Sequence, residues 1–195
     1  MKKVFTILAS MLLTAGAFAQ SSTWKTDASH SNVKFSVTHL VVSEVEGYFK
    51  TFAGTLVSSK PDFTDASINF SVDINSINTD NEGRDKHLKS DDFFNAEKFP
   101  QMTFKSTSFK KVSDKKYVLE GDLTIRDITK KVKFDVVFGG TVKDPWGNIK
   151  AGFKATGEIN RFDYNLKWNS VTEAGGAVVS KEVAIVLNLE FAQQK

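Results

Sequence analysis

Proton transfer near neutral pH would fall to His30, His39 and His87, the three histidines of the chain, because only imidazole has an ordinary pKa in that range. None sits in a catalytic spacing. His30 and His39 are nine residues apart and His87 lies in another segment, so a three-histidine metal centre would require the fold to gather them. Glu44, Glu46, Asp91 and Asp92 offer carboxylate oxygens, but isolated acidic pairs usually face solvent, and calcium-loop spacing is missing. No metal site is expected. The chain has no cysteine, which removes disulfides, thiolate ligands and cysteine nucleophiles. A serine in a G-x-S-x-G turn and a phosphate-cradling glycine loop are also missing, and Gly175-Gly176 reads as a flexible loop. The chemistry therefore points to a protein that is not an enzyme and requires no cofactor.

Binding is the remaining class. Trp24, Trp146 and Trp168 could stack on a sugar, but their spacing does not place them on one strand face. Trp146, inside the turn signal Asp144-Pro145-Trp146-Gly147-Asn148, is better read as pinning that turn against the end of the domain. His39 ends an apolar face and reads as a hydrogen-bonded rim histidine, with a polar head-group contact as the functional alternative.

The chain opens with Met1-Lys2-Lys3, an apolar run from Val4 to Leu13, and Ala17-Phe18-Ala19 before Gln20. Such an order is that of a secretory signal peptide, too short to span a bilayer as a helix, with cleavage expected after Ala19. Residues 1–19 are thus read as a leader and 20–195 as one domain, exported to the periplasm or secreted. The whole chain carries a net charge of +3, and losing Lys2 and Lys3 brings that to about +1 by the same count, which gives no support to a nucleic-acid partner.

Eight stretches must position whatever is bound. Each alternates apolar and polar residues with a period of two, the mark of strands with one buried face. Val132, Phe134, Val136 and Phe138 form one such face, with Lys133 and Asp135 opposite. The first strand spans Asn32 to His39 and the second Gly47 to Ser58, with a bend near Lys50 and Thr51 where the apolar parity changes. Others carry Ile68 to Ile74, Met102 and Phe104, Tyr117 to Ile125, Lys131 to Val142, Phe153 to Ile159, and Val183 to Phe191. Arg126 to Lys131 reads as a tight connection. Two connections are long, Asn75 to Pro100, with a short helix near Gly83–Lys89, and Arg161 to Ser180. The fold read from this pattern is an all-β antiparallel barrel of about eight strands with one short helical insertion.

A barrel of eight strands is either filled by side chains or wide enough for one small ligand. Gly121, Ala151, Ala155 and Gly157 fall in phase with the large apolar residues and read as leaving interior space that a packed core would fill. A lipid-sized ligand is the leading reading. An enzyme acting on an amphiphilic small molecule and an interaction module with a solid core stay open beside it.

Several segments then make the chain recognisable. Asp27-Ala28-Ser29-His30-Ser31 with Val33-Lys34-Phe35 and Thr38-His39-Leu40, Gly47-Tyr48-Phe49, Arg84-Asp85-Lys86-His87-Leu88 with Asp92-Phe93-Phe94, Gly121-Asp122-Leu123-Thr124-Ile125-Arg126, and Ile159-Asn160-Arg161 together resemble the YceI-like family of periplasmic proteins. Asp127 and Asn165 stand where that family often has glycine, and both residue types tolerate a left-handed backbone.

The resemblance implies an elongated lipocalin-like barrel holding a polyisoprenoid, such as a prenyl quinone or polyprenyl lipid, with a possible link to stress responses. Strand parity assigns contacts with such a tail to Phe35, Val37 and His39, to Phe49 and Phe52, and to Phe70. Farther along it adds Met102, Phe104, Leu119 and Leu123, then Phe134, Phe138, Phe153 and Ile185. Arg84, Asp85 and Arg161 are expected to close one end of the barrel or orient a polar head group. Transient membrane contact is a further expectation for a carrier of such cargo.

Overall fold

The computed structural model describes residues 20–171 and 175–195, so the leader read at residues 1–19 lies outside the described residues. Among the described residues the eleven strands are β1 (Ser22–Thr26), β2 (Asn32–His39), β3 (Ser43–Phe49), β4 (Phe52–Ser58), β5 (Ser67–Asp73), β6 (Ile77–Asn78), β7 (Gln101–Ser113), β8 (Lys116–Ile125), β9 (Ile128–Lys143), β10 (Ile149–Asn160) and β11 (Glu182–Gln193). An α-helix, α1, covers Glu82–Lys89. Asn81 caps it by accepting a hydrogen bond from the Arg84 amide, as a short polar side chain does at a helix start.

Antiparallel pairing closes the sheet into an eight-strand barrel. Two of its long strands are broken. β1 leads into β2 through a single turn of 3-10 helix at Ala28–His30, and β3 leads into β4 across Lys50 and Thr51, the position where the apolar parity changes. The last strand closes the ring against both halves of the first: Phe191 faces Thr26 of β1, while Leu187 faces Val33 of β2. β1 then pairs β4, and β2 pairs β3.

A salt-bridged lysine holds the kink between β1 and β2. Lys150 Nζ on β10 lies 2.6 Å from the Asp27 carboxylate and 3.0 Å from that of Glu190 on β11. The β8–β9 connection is tighter than the sequence indicates, because β9 already starts at Ile128. Its left-handed residue is Arg126, not Asp127, while Asn165 is left-handed as its residue type allows.

The barrel is unevenly filled. One end is a solid aromatic plug, with Phe63 meeting Trp24, Phe138 and Phe153 edge-on at 5.3–5.4 Å and Phe109 stacked on Tyr117 at 4.8 Å. Trp24, Phe63, Phe109, Tyr117 and Phe191 are all buried there, within the spacing at which aromatic pairs attract. Trp146 does not pin its turn. It is 83% exposed, and the turn is held instead by Asp144, which accepts from the amides of Trp146 and Asn148.

Candidate functional site

Beyond the plug lies an apolar cavity of ≈ 350 Å³, within the range of small-molecule sites. Of the residues chosen by parity, Phe35, Val37, His39, Phe49, Phe70, Met102, Phe104, Leu119, Leu123, Phe134 and Ile185 form part of its wall. Three do not. Phe138 and Phe153 stack on each other at 5.0 Å within the plug, and Phe52 stacks on the wall residue Phe70 at 5.8 Å without lining the cavity itself. Parity finds the inward face but not the depth along the barrel at which packing stops, and Phe138 and Phe153 lie on the filled side of that level.

The small residues act differently from the sequence reading. At Gly157 a β-carbon would stand 2.6 Å from Phe134 Cδ1, and at Gly54 it would stand 2.5 Å from Phe70 Cδ2. Phe104 covers Gly121 and Phe35 covers Gly47 in the same way. Each glycine therefore makes room for a ring on the neighbouring strand, an aromatic cover over a bare stretch of sheet. Two of these rings, Phe104 and Phe134, meet edge-on at 5.9 Å. The glycine positions themselves are filled, and the open lumen is bordered by the rings that fill them.

Residues from the two long connections complete the wall. Leu88, Phe93 and Phe94 come from the first, and Leu166, Trp168, Val178 and Val179 from the second. Alternation could not reveal them, because no strand periodicity runs through those segments. An available signal was the apolar cluster Phe93-Phe94 inside an otherwise polar connection.

Polar groups gather where these connections meet the barrel. Arg161 is buried, and its guanidinium donates from Nε to the Ser180 carbonyl at 2.9 Å, from Nη1 to those of Leu166 and Trp168 at 2.7 and 2.6 Å, and from Nη2 to that of Val179 at 3.2 Å. Burial pulls its pKa below the ordinary arginine value, but arginine stays protonated in proteins. Among the described residues no ion pair reaches it. The four carbonyls make it a clamp on the second long connection.

Arg84 and Asp85 do not pair with each other. Thr79 stands between them, its hydroxyl donating to the Asp85 carboxylate at 2.6 Å and accepting from Arg84 Nε at 2.8 Å. Arg84 also lines the cavity, is otherwise exposed, and donates from Nη2 to the Thr79 carbonyl. Asp85 is not in the cavity wall. His87, half-buried, pairs its Nε2 with Asp92 at 2.8 Å and packs edge-on against Phe93 and Trp168.

Sequence reasoning also missed Arg126. Its guanidinium joins the carbonyls of Asp91, Phe93 and Asn165 and the Asp91 carboxylate, tying both long connections together beside the cavity. Nearby, Tyr164 has a fully buried hydroxyl with no partner among the described residues, and burial pushes its phenol up to about 12.

Away from the cavity, Asp27, His30 and Glu190 bring three possible ligand atoms within 4.8 Å of one another. The Lys150 ammonium already pairs with both carboxylates. The group is accounted for as an ion-pair network across the strand break.

Residues 24–191 match the YceI-like domain family. The chain belongs to the YceI-like family. Protein YceI of Salmonella newport is 39% identical over 190 residues, covering 96% of this chain and 95% of that protein. Among solved structures, Burkholderia cenocepacia BcnA superposes with a TM-score of 0.74 at 22% identity, covering 85% of this chain and 98% of its own. A polyisoprenoid binding domain from Saccharophagus degradans, implicated in plant cell wall breakdown, superposes at 0.63 with 16% identity over 88% of this chain and 98% of its own. At those identities the two structures establish the shared fold. A YceI-like barrel with an open apolar lumen and no catalytic constellation recognised in its sequence is thus the site to be explained.

Proposed function

We propose that this YceI-like protein is an exported binding protein that sequesters or carries an isoprenoid or other amphiphilic lipid in its barrel. The observation that carries the reading is the lumen itself: an apolar cavity bordered by phenylalanine rings, four of them seated on glycines. The polyisoprenoid binding domain of Saccharophagus degradans supports the choice of a prenyl chain, as in a prenyl quinone or polyprenyl lipid. The apolar run before Gln20 supports export to the periplasm.

Desolvation drives such binding. At roughly 0.3 kcal/mol per heavy atom, every ten carbons taken out of water contribute roughly 3 kcal/mol, so affinity rises with the length of chain the barrel covers. Arg84, an exposed residue that lines the cavity and is bound to Thr79, is the group best suited to meet a polar head, whereas the four carbonyl bonds of Arg161, which also lines the cavity, favour a structural role. No covalent step is involved.

Mass spectrometry of an organic extract from protein purified out of its native compartment, quantified against protein, tests the reading. A near-stoichiometric prenyl lipid is expected. Absence of any apolar ligand, together with failure to bind added polyprenyl lipid, would overturn it in favour of an enzyme or an interaction module.

A further inference from the structure

The turn between β2 and β3 exposes three consecutive aliphatic side chains, Leu40 at 41%, Val41 at 74% and Val42 at 83%. Burial does not explain them. Leu40 and Val41 both have left-handed backbones, with φ of 53° and 64°, an unfavourable conformation for a β-branched residue such as Val41. Glycine or asparagine would suit the turn better, so its composition opposes both solubility and local backbone preference.

The turn continues the cavity wall. His39, immediately before it, lines the lumen and bridges to Val179, and the Leu40 amide donates to the carbonyl of Val178 at 2.9 Å. Val178 and Val179 line the lumen as well. Val171, 64% exposed, belongs to the same connection and bridges to Ala177. The lining residues His39, Val178 and Val179 therefore adjoin the exposed tip directly.

We propose that the Leu40–Val42 turn enters the interfacial zone of a lipid bilayer, so that cargo passes between membrane and cavity without crossing water. This rests on the carrier reading above. Three aliphatic residues are far fewer than the roughly 20–30 per side of a stable protein interface, but apolar residues on a narrow tip can enter the headgroup boundary. The charged residues of the adjoining strand, Glu44 and Glu46, are acidic and exposed. Attraction to anionic lipid is not the driving force, and the contact is apolar and insensitive to salt.

The test follows transfer of a dansylated farnesyl chain from the loaded protein to phosphatidylcholine–phosphatidylethanolamine vesicles carrying a quencher. Wild-type transfer is expected to accelerate with vesicle concentration, as collision requires, and to hold its rate in high salt. The double variant Val41→Asn, Val42→Asn suits the left-handed position at 41 and removes the apolar tip. It is expected to melt no lower than wild type, to retain as much probe when loaded from detergent, and to transfer at least about tenfold more slowly. Equal rates for variant and wild type, or a wild-type rate independent of vesicle concentration, would overturn the membrane contact while leaving the cavity reading intact. A wild-type protein that retains no probe even from detergent would overturn both.

Discussion

Phe134 occupies the space that a side chain on Gly157 would need. A β-carbon at Gly157 would lie 2.6 Å from Phe134 Cδ1 and 3.0 Å from the Lys133 carbonyl oxygen, so neither the ring nor the backbone leaves room. The pair converts a bare patch of β10 into a seat for an aromatic wall residue of β9.

Gly157→Ala should therefore destabilise the barrel by about 1–3 kcal/mol, the usual range for forcing atoms into a packed site. The urea midpoint measures it. Phe134→Leu added to the same chain should recover part of the loss, with a coupling of at least about 0.5 kcal/mol between the two positions. Strict additivity would mean that the ring is not what the new methyl meets.

Wall and plug should separate by mutation. Phe153 is packed among Phe63, Phe138 and Phe191, so Phe153→Ala should cost about 3–5 kcal/mol and leave the lipid content of the folded fraction unchanged. Phe104 lies in the lumen wall. Phe104→Asp places an unpaired carboxylate in apolar space and should abolish lipid retention. Circular dichroism and a thermal melt, run beside the lipid assay, distinguish loss of ligand from loss of fold. A folded Phe104→Asp protein that keeps its lipid would remove Phe104 from the contact set.

The eight-strand ring was legible because each long strand keeps a period of two over many residues, and the bend at Lys50 and Thr51 showed itself as a change of parity. What parity cannot carry is position along the barrel axis. Phe104 and Phe153 look alike in sequence, yet one borders open space and the other sits in a plug completed by Phe63, which comes from the β4–β5 connection. Short strand β1 was missed because Trp24 and its neighbours offer too few alternations to count. Arg161 was named as a group closing one end of the barrel, but the carbonyls that it and Arg126 hold leave no trace in a residue pattern. Gly121 and Gly157 were recognised as significant, but whether a glycine leaves a void or seats a ring depends on the strand beside it.

Acid should loosen the strand break. The hydrogen bond from Lys150, then those from Ser29 and His30, hold the Asp27 carboxyl well below the usual carboxylate range, while bonds to Asp27 and Glu190 raise the Lys150 ammonium. A depressed carboxyl stabilises fully above its unfolded pKa of about 3.9 and loses that contribution as pH falls; a raised lysine stabilises below about 10.4 and loses it as pH climbs further. Asp65, held low by hydrogen bonds from Ser58 and Ser59, adds to the acid side. Urea midpoints should be level between roughly pH 5 and 10 as far as these groups govern them, and decline outside that window. Lys150→Met should shrink the acid decline, and a further Asp65→Asn should shrink it again. An unchanged acid slope in the double variant would show that other carboxyls govern it.

Arg161 distinguishes a loop clamp from a head-group ligand. Its guanidinium reaches four carbonyls spread over residues 166–180, a fan that the single ammonium of lysine cannot reproduce. Arg161→Lys should cost at least about 2 kcal/mol, since each hydrogen bond to a charged group contributes roughly 1.5–3 kcal/mol and more than one is lost. Amide exchange should rise at Leu166, Trp168 and Val179 before it rises in the barrel strands, because the connection opens while the ring stays closed. Affinity for a prenyl lipid in the folded variant should change by less than about threefold. The opposite pattern, a melting temperature held while affinity falls tenfold or more, would move Arg161 from holding the connection to holding the ligand.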